Sequence, residues 1–355
     1  MSPGLLVPPS GAAGRPDSCR NREELPMMPT RTRQWLSHRM NSHLDWPASR
    51  ALALKGDTTI SVVLPAKDEQ ETVGSIVTAI RESLVERVPL VDEVVVIDSR
   101  STDNTAKVAA RAGATVHAQD DILPDLPGLW GKGEALWKSL AVTSGDVVVF
   151  VDSDIRNFGP HFVTGLVGPL LADPDLAYVK GCYSRPLRQE DSFNPFDGGR
   201  VTELLARPLL NMCWPDLSGF VQPLAGEYAG RRTALEEVPF VCGYGVEFAL
   251  LVDLADLVGV DRMAQTDLGC REHSHQSTAA LGRMSGQILD TAWSRMHRHG
   301  IVTSEHPPSS GITQFVQTAD GYESLDWEVR VSERPPMSRV LGGRGAAPRP
   351  RQPLR

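Results

Sequence analysis

Asp146-Val147-Val148-Val149-Phe150-Val151-Asp152-Ser153-Asp154 is the stretch on which the fold turns. Five apolar residues between polar ones predict a strand buried on both faces. Such a strand ends at the carboxyl edge of a parallel sheet, where open α/β sheets bind their ligands. Two carboxylates at i and i+2 project from one side of an extended segment. They suit a divalent cation, and with it a diphosphate, through hard oxygen ligands. The triplet fits equally well as two solvated loop aspartates or a helix cap. Its neighbours decide the matter.

Outward from this strand the pattern alternates. Strands are expected at 59–64, 93–97 and 115–117, with helices at 69–85, 102–112 and 132–143. A β-α-β-α-β-α-β run predicts an α/β protein with a Rossmann-like, mostly parallel sheet and helices on both faces. Further on, helices are expected at 161–171, 201–210, 247–258 and 281–299, with strands at 177–183 and near 262–268. The two halves are expected to share one sheet in one continuous domain. Residues 1–57, rich in Pro, Gly, Ser and Arg, read as a flexible N-terminal extension with a short helix near 31–40. The tail at 335–355 carries Arg339, Arg344, Arg349, Arg351 and Arg355 with no acidic residue, and reads as disordered.

The chain has 355 residues, 41% of them hydrophobic and 23% charged, as in soluble globular proteins. A formal charge of −8 argues against general nucleic-acid binding. An anionic substrate must therefore meet a local cluster of Arg and Lys. Cys19, Cys182, Cys213, Cys242 and Cys270 show no C-x-x-C spacing and read as reduced thiols. No apolar run is long enough to span a bilayer, and no secretory signal is visible, so a cytoplasmic protein without membrane attachment is expected.

Two further strand ends and one helix start carry chemistry. In Val63-Leu64-Pro65-Ala66-Lys67-Asp68-Glu69, Pro65 is expected to stop the strand and Glu69 to begin a helix whose free amides favour an anionic or polar ligand. In Ile97-Asp98-Ser99-Arg100-Ser101-Thr102-Asp103, Asp98 and Ser99 are placed to hydrogen-bond a base or ribose. Gly131-Lys132-Gly133 opens the helix before the Asp-x-Asp strand, letting backbone and a cation approach a phosphate or base. It lacks the spacing of a P-loop.

Together these pieces resemble the nucleotide-sugar half of GT-A glycosyltransferases. Gly198-Gly199-Arg200-Val201-Thr202-Glu203-Leu204-Leu205-Ala206-Arg207-Pro208-Leu209, Gly226-Glu227-Tyr228, Gly243-Tyr244-Gly245-Val246-Glu247 and Arg271-Glu272-His273 are similar to the glucosyl-3-phosphoglycerate synthases. The likeness runs over about residues 58–337. It implies a GT-A domain at 58–334, with a nucleotide-sugar half at 58–155 and an acceptor half at 156–334. It also implies retaining transfer of glucose from UDP-glucose to the 2-hydroxyl of 3-phosphoglycerate, with Mg2+ or Mn2+, in a homodimer. By the same resemblance Pro65, Ala66, Glu69, Ser99, Lys132, Asp152, Tyr244, Glu247 and Arg271 bind the donor, and Lys132, Glu247 and Arg271 serve catalysis. Gly199, Arg200, Thr202 and His275 would bind the acceptor, and Asp154 and His273 the metal.

Physical readings stand beside the resemblance. Gly199, Arg200 and Thr202 offer free amides, a guanidinium and a hydroxyl, which make an anion pocket. They fit a Gly-rich helix start with a surface Arg just as well. His273 is either a metal ligand or a surface residue. With Arg271 two positions away, both face one cleft if the segment is extended. Glu247 reads as a partner for sugar hydroxyls or a helix-terminal charge, and Tyr244 as a ligand-packing or a core aromatic. His275 stands where the resembling family commonly has Asn. A polyprenyl-phosphate sugar transferase, a nucleotidyltransferase and a non-catalytic nucleotide-sugar binding module remain as alternatives.

Overall fold

The computed structural model describes residues 28–184, 187–189, 192–194, 199–272 and 277–343. Along the chain come α1 (Thr30–Arg39), β1 (Met40–Ser42), α2 (Ala48–Lys55), β2 (Ile60–Ala66), α3 (Val73–Ile80), β3 (Glu93–Asp98), α4 (Thr105–Arg111) and β4 (Thr115–Ala118). Then follow α5 (Lys132–Val142), β5 (Val147–Phe150), α6 (His161–Ala172), β6 (Tyr178–Ser184) and the short pair β7 (Leu187–Gln189) and β8 (Ser192–Asn194). The last part holds α7 (Arg207–Cys213), β9 (Tyr228–Arg231), α8 (Arg232–Leu235), β10 (Phe240–Val241), α9 (Val246–Val258), β11 (Met263–Cys270) and α10 (Thr278–Arg298). A hairpin, β12 (Gly311–Thr318) with β13 (Gly321–Glu328), precedes β14 (Glu333–Arg334) and α11 (Met337–Gly343).

Eight strands form one sheet in the order β1-β11-β6-β9-β5-β2-β3-β4. Neighbours run parallel except at β9, which is antiparallel to both β5 and β6. The strand alternation divides the core cleanly. Val148 and Phe150 of β5 pack on one face with Trp137 of α5, Phe248 of α9 and Ile288 of α10. Val147, Val149 and Val151 pack on the other with Ile76 and Ile80 of α3 and Phe162 and Leu166 of α6. That double burial is why β5 reads as one unbroken apolar run.

Three local expectations change. Pro65 does not stop β2: it pairs across from Ile97, and Ala66 across from Asp98. The β5 ladder on the other side ends at Val63, so a residue without an N–H is tolerated there. The helix expected from Glu69 begins at Val73. The Glu69 amide is not free, since it donates to Thr105 Oγ1 at 2.7 Å.

Regular structure is already present from Thr30, so the stretch from 30 to 57 is part of the fold rather than a flexible extension. Trp35, 5% exposed, donates from Nε1 to the Val260 and Met263 carbonyls and packs on Phe220 with ring centroids 4.6 Å apart. β1 then extends the sheet beside β11, and buried Trp46 fills the space over Gly168 that a Cβ would occupy. Residues 1–27 lie outside the described residues. At the other end, the 335–343 part of the basic tail is also ordered: Pro335 O accepts from Trp137 Nε1 at 2.8 Å and Met337 is fully buried. The rest of that tail lies outside the described residues. Among the described residues, no helix is long and apolar enough to cross a membrane.

Trp35 therefore ties the N-terminal segment to the core, and Trp35→Ala is expected to lower stability by about 3–5 kcal/mol. Urea denaturation measures this; a change below about 1 kcal/mol would mean that the segment does not belong to the folded unit.

Candidate active site

The carboxyl edge of the sheet opens into a cavity of about 580 Å³. β2 delivers Pro65 and Ala66, its following turn Glu69, and the turn after β3 delivers Ser99. Lys132 opens α5, Asp152 and Asp154 follow β5, and Arg271 follows β11. Gly199, Arg200 and Thr202 line the opposite wall where the α7 helix begins with a wide turn, and Tyr244 and Glu247 enter at the start of α9. These thirteen residues, all expected from the sequence, share the one cavity. His273 and His275 lie outside the described residues.

The cavity floor is a charge network. Lys132 Nζ contacts Asp152 Oδ1 and lies 2.7 Å from Glu247 Oε1. Burial favours the neutral amine, but Asp152 and Glu247 outweigh it and raise the Lys132 pKa. Arg271 Nη2 donates to Asp152 Oδ2 at 2.9 Å and to Asp154 Oδ1 at 2.6 Å. Arg271 is only 3% exposed; burial opposes its charge, yet Glu227, Tyr183 and the two aspartates hold it fully protonated. Gly226 makes the arrangement possible, because a Cβ there would lie 2.2 Å from Asp152 Oδ2.

The residues fit a divalent cation. Asp154 is partly exposed, and its Oδ2 takes no hydrogen bond from the described residues, leaving a hard oxygen turned to the cavity. In the floor and just behind it, Asp152, Asp154, Glu247 and the buried Glu227 outnumber the cations Lys132 and Arg271. Glu69 responds to that excess: burial first, then Asp154 and Asp152, raise its pKa. Among the described residues no three His, Cys, Asp or Glu side chains converge on a common point. Asp154 thus offers one ligand, and a donor diphosphate has oxygens for others.

Two lining residues, Arg100 and Trp130, and the buried Lys180 escaped the sequence reading. Arg100, one position past Ser99, is held by Asp120 through two 2.7 Å bonds and lies 3.9 Å over the exposed Trp130 ring. A tryptophan beside Gly131-Lys132 was a usable signal, since a large exposed aromatic needs a reason. Lys180 sits in an otherwise apolar strand, a pattern that marks a buried cation needing partners. It is fully buried, donates to Ala225 O at 3.0 Å and to Tyr178 OH at 3.3 Å, and lies 4.8 Å from the Tyr228 ring centre. Burial pushes its pKa down to about 7.

The glycosyl transferase family 2 profile matches residues 61–220. Glucosyl-3-phosphoglycerate synthase of Mycolicibacterium paratuberculosis is 48% identical over 314 residues, which cover 86% of this chain and 92% of that one. The enzyme of the same name from Petrotoga mobilis is 42% identical, covering 80% and 87%. Among solved structures, glucosyl-3-phosphoglycerate synthase from Mycobacterium tuberculosis in complex with Mn2+, UDP-glucose and phosphoglyceric acid is similar with a TM-score of 0.72 at 44% identity, covering 83% and 95%. Mannosyl-3-phosphoglycerate synthase from Rubrobacter xylanophilus is similar with a TM-score of 0.81 at 36% identity, covering 89% and 100%.

The Lys180 amine makes a pH prediction. Its ordinary pKa of 10.5 falls to about 7 in the fold, so between those values the unfolded chain binds the extra proton. Stability from this group therefore rises with pH across that window. Urea unfolding of the wild type and of Lys180→Met from pH 7 to 10 is expected to show a smaller rise in the variant; parallel curves would refute the depressed amine.

Proposed function

The chain belongs to the glucosyl-3-phosphoglycerate synthase family, and we propose that it transfers glucose from UDP-glucose to the 2-hydroxyl of 3-phosphoglycerate with retention at the anomeric carbon. The observation that carries this reading is one cavity holding a donor floor, a cation-ready carboxylate and a separate acceptor wall with Arg200. A divalent cation held by Asp154, with His273 as the further ligand the family resemblance implies, would neutralise charge on the departing diphosphate.

The chain's own groups then divide the work. Pro65, Ala66, Glu69 and Ser99 line the nucleotide end, and Arg271 and Lys132 face the diphosphate with fixed positive charge. Asp152 and Glu247, each tied to Lys132, face the sugar as hydrogen-bond acceptors. Those ion pairs make either carboxylate a poor nucleophile, which supports displacement on a single face. Gly199, Arg200 and Thr202 would grip the acceptor's carboxylate or phosphate, with the 2-hydroxyl turned to the anomeric carbon. The new C–O bond forms as the bond to the diphosphate breaks, and the hydroxyl proton passes to the departing diphosphate oxygen, releasing UDP.

We also propose a cytoplasmic homodimer. Cys182, Cys213, Cys242 and Cys270 are free thiols, as a reducing compartment maintains them. The β12–β13 hairpin exposes Phe315, Tyr322, Leu325 and Trp327, apolar surface that a second copy would cover. Sedimentation is expected to give a dimer, and Phe315→Glu with Tyr322→Ser to shift it toward monomer; a wild-type monomer would remove this part.

The transfer itself is tested by nucleotide release from UDP-glucose with 3-phosphoglycerate, with Mg2+ or Mn2+ and with chelator. Activity is expected to vanish with chelator and to fall about 100-fold or more in Asp154→Asn, while Arg200→Ala is expected mainly to raise the 3-phosphoglycerate KM. An inverted product, or preferred transfer from a mannose donor, would overturn the assignment.

A further inference from the structure

Behind the cavity lies a carboxylate that this chemistry does not use. Glu227 is fully buried and does not line the cavity, and neither does Tyr183. The Tyr183 hydroxyl donates to Glu227 Oε2 at 2.6 Å and accepts from Arg271 Nη1 at 3.3 Å. The remaining oxygen, Glu227 Oε1, lies 3.5 Å from Arg271 Nε. Both of these buried atoms are without a hydrogen-bond partner among the described residues. The guanidinium is thus divided: Nη2 faces Asp152 and Asp154, while Nε and Nη1 face Glu227 and Tyr183.

That division has a chemical consequence. Arg271 and a cation compete for the same Asp154 carboxylate. An anion behind the guanidinium draws it away from Asp154, and buried charges at this separation attract strongly. Topology puts the anion there. β9 runs antiparallel with Tyr228 across from Phe150, so the residues just before β9 lie beside those just after β5. The Gly181 amide donates to the Glu227 carbonyl at 2.8 Å, which pins its backbone to β6.

We propose that Glu227 is a positioning residue, aided by Tyr183. It holds Arg271 at the depth where its Nη2 can serve the diphosphate without taking Asp154 from the cation. The inference rests on the donor-and-cation reading of the site. With Glu227→Gln the rear charge disappears, Arg271 moves toward Asp152 and Asp154, and the cation binds less well. The acceptor wall, built from Gly199, Arg200 and Thr202, does not depend on this contact.

Calorimetric titration of Mn2+ in the presence of UDP tests the proposal directly. In Glu227→Gln the Mn2+ dissociation constant is expected to rise about tenfold or more, and in Tyr183→Phe to rise less. In transfer assays the UDP-glucose KM should rise with it, while the 3-phosphoglycerate KM stays within about twofold. Unchanged Mn2+ affinity in both variants overturns the proposal. So does a fall in active fraction with unchanged affinities, the signature of a merely structural residue. If Glu227→Gln fails to fold, as circular dichroism would report, Tyr183→Phe decides alone. A wild type that binds Mn2+ and UDP but transfers no glucose defeats the substrate reading, and the titration still decides the role of Glu227.

Discussion

The Asp152 carboxylate is held from two sides, by Lys132 from the start of α5 and by Arg271 from the end of β11. Most of the site follows from that grip. Ion pairs this deep lose hydration that their attraction must offset, and breaking one partner leaves a buried charge exposed to that loss. The protein meets the requirement by extension: Glu247 shares Lys132, while Asp154 and Glu227 share Arg271. The backbone yields as well, since only glycine at 226 leaves room for the Asp152 oxygens.

β9 makes this arrangement geometrically possible. It stands between β5 and β6, joining the four strands β5, β2, β3 and β4 to the three strands β6, β11 and β1. A parallel strand there would have put residues 226 and 227 at the amino edge, away from Asp152. Running antiparallel, it enters from the carboxyl edge and sets Gly226 and Glu227 directly behind the cavity. The two apolar layers hold this sheet between helices, so the charges ride on a rigid platform.

Much of the first half of the sheet was legible in the chain itself. β2, β3 and β5 are buried on both faces, so their composition shows it as continuous apolar runs, and the polar residues that follow each run mark the ligand edge. Other elements left weaker traces. β9 is four residues, Tyr-Ala-Gly-Arg, too short and mixed to show a period. α1 and α2 lie in a Pro- and Arg-rich stretch, and what orders them is the burial of Trp35 and Trp46 against distant elements. Glu227 stood in a recognisable motif, but nothing local gives it a role, because its partners Tyr183 and Arg271 are more than forty positions away on either side.

The Asp152-Ser153-Asp154 triplet marks the division. The sequence by itself determined the α/β class, the strand end on which the triplet sits and, through motifs in order, the family, because burial periodicity and motif spacing are written along the chain. It left open whether the two carboxylates were loop residues or a binding site. Tertiary structure decided what surrounds them, since ion pairing falls off with distance through space and only the folded sheet brings Lys132 and Arg271 to the same carboxylate.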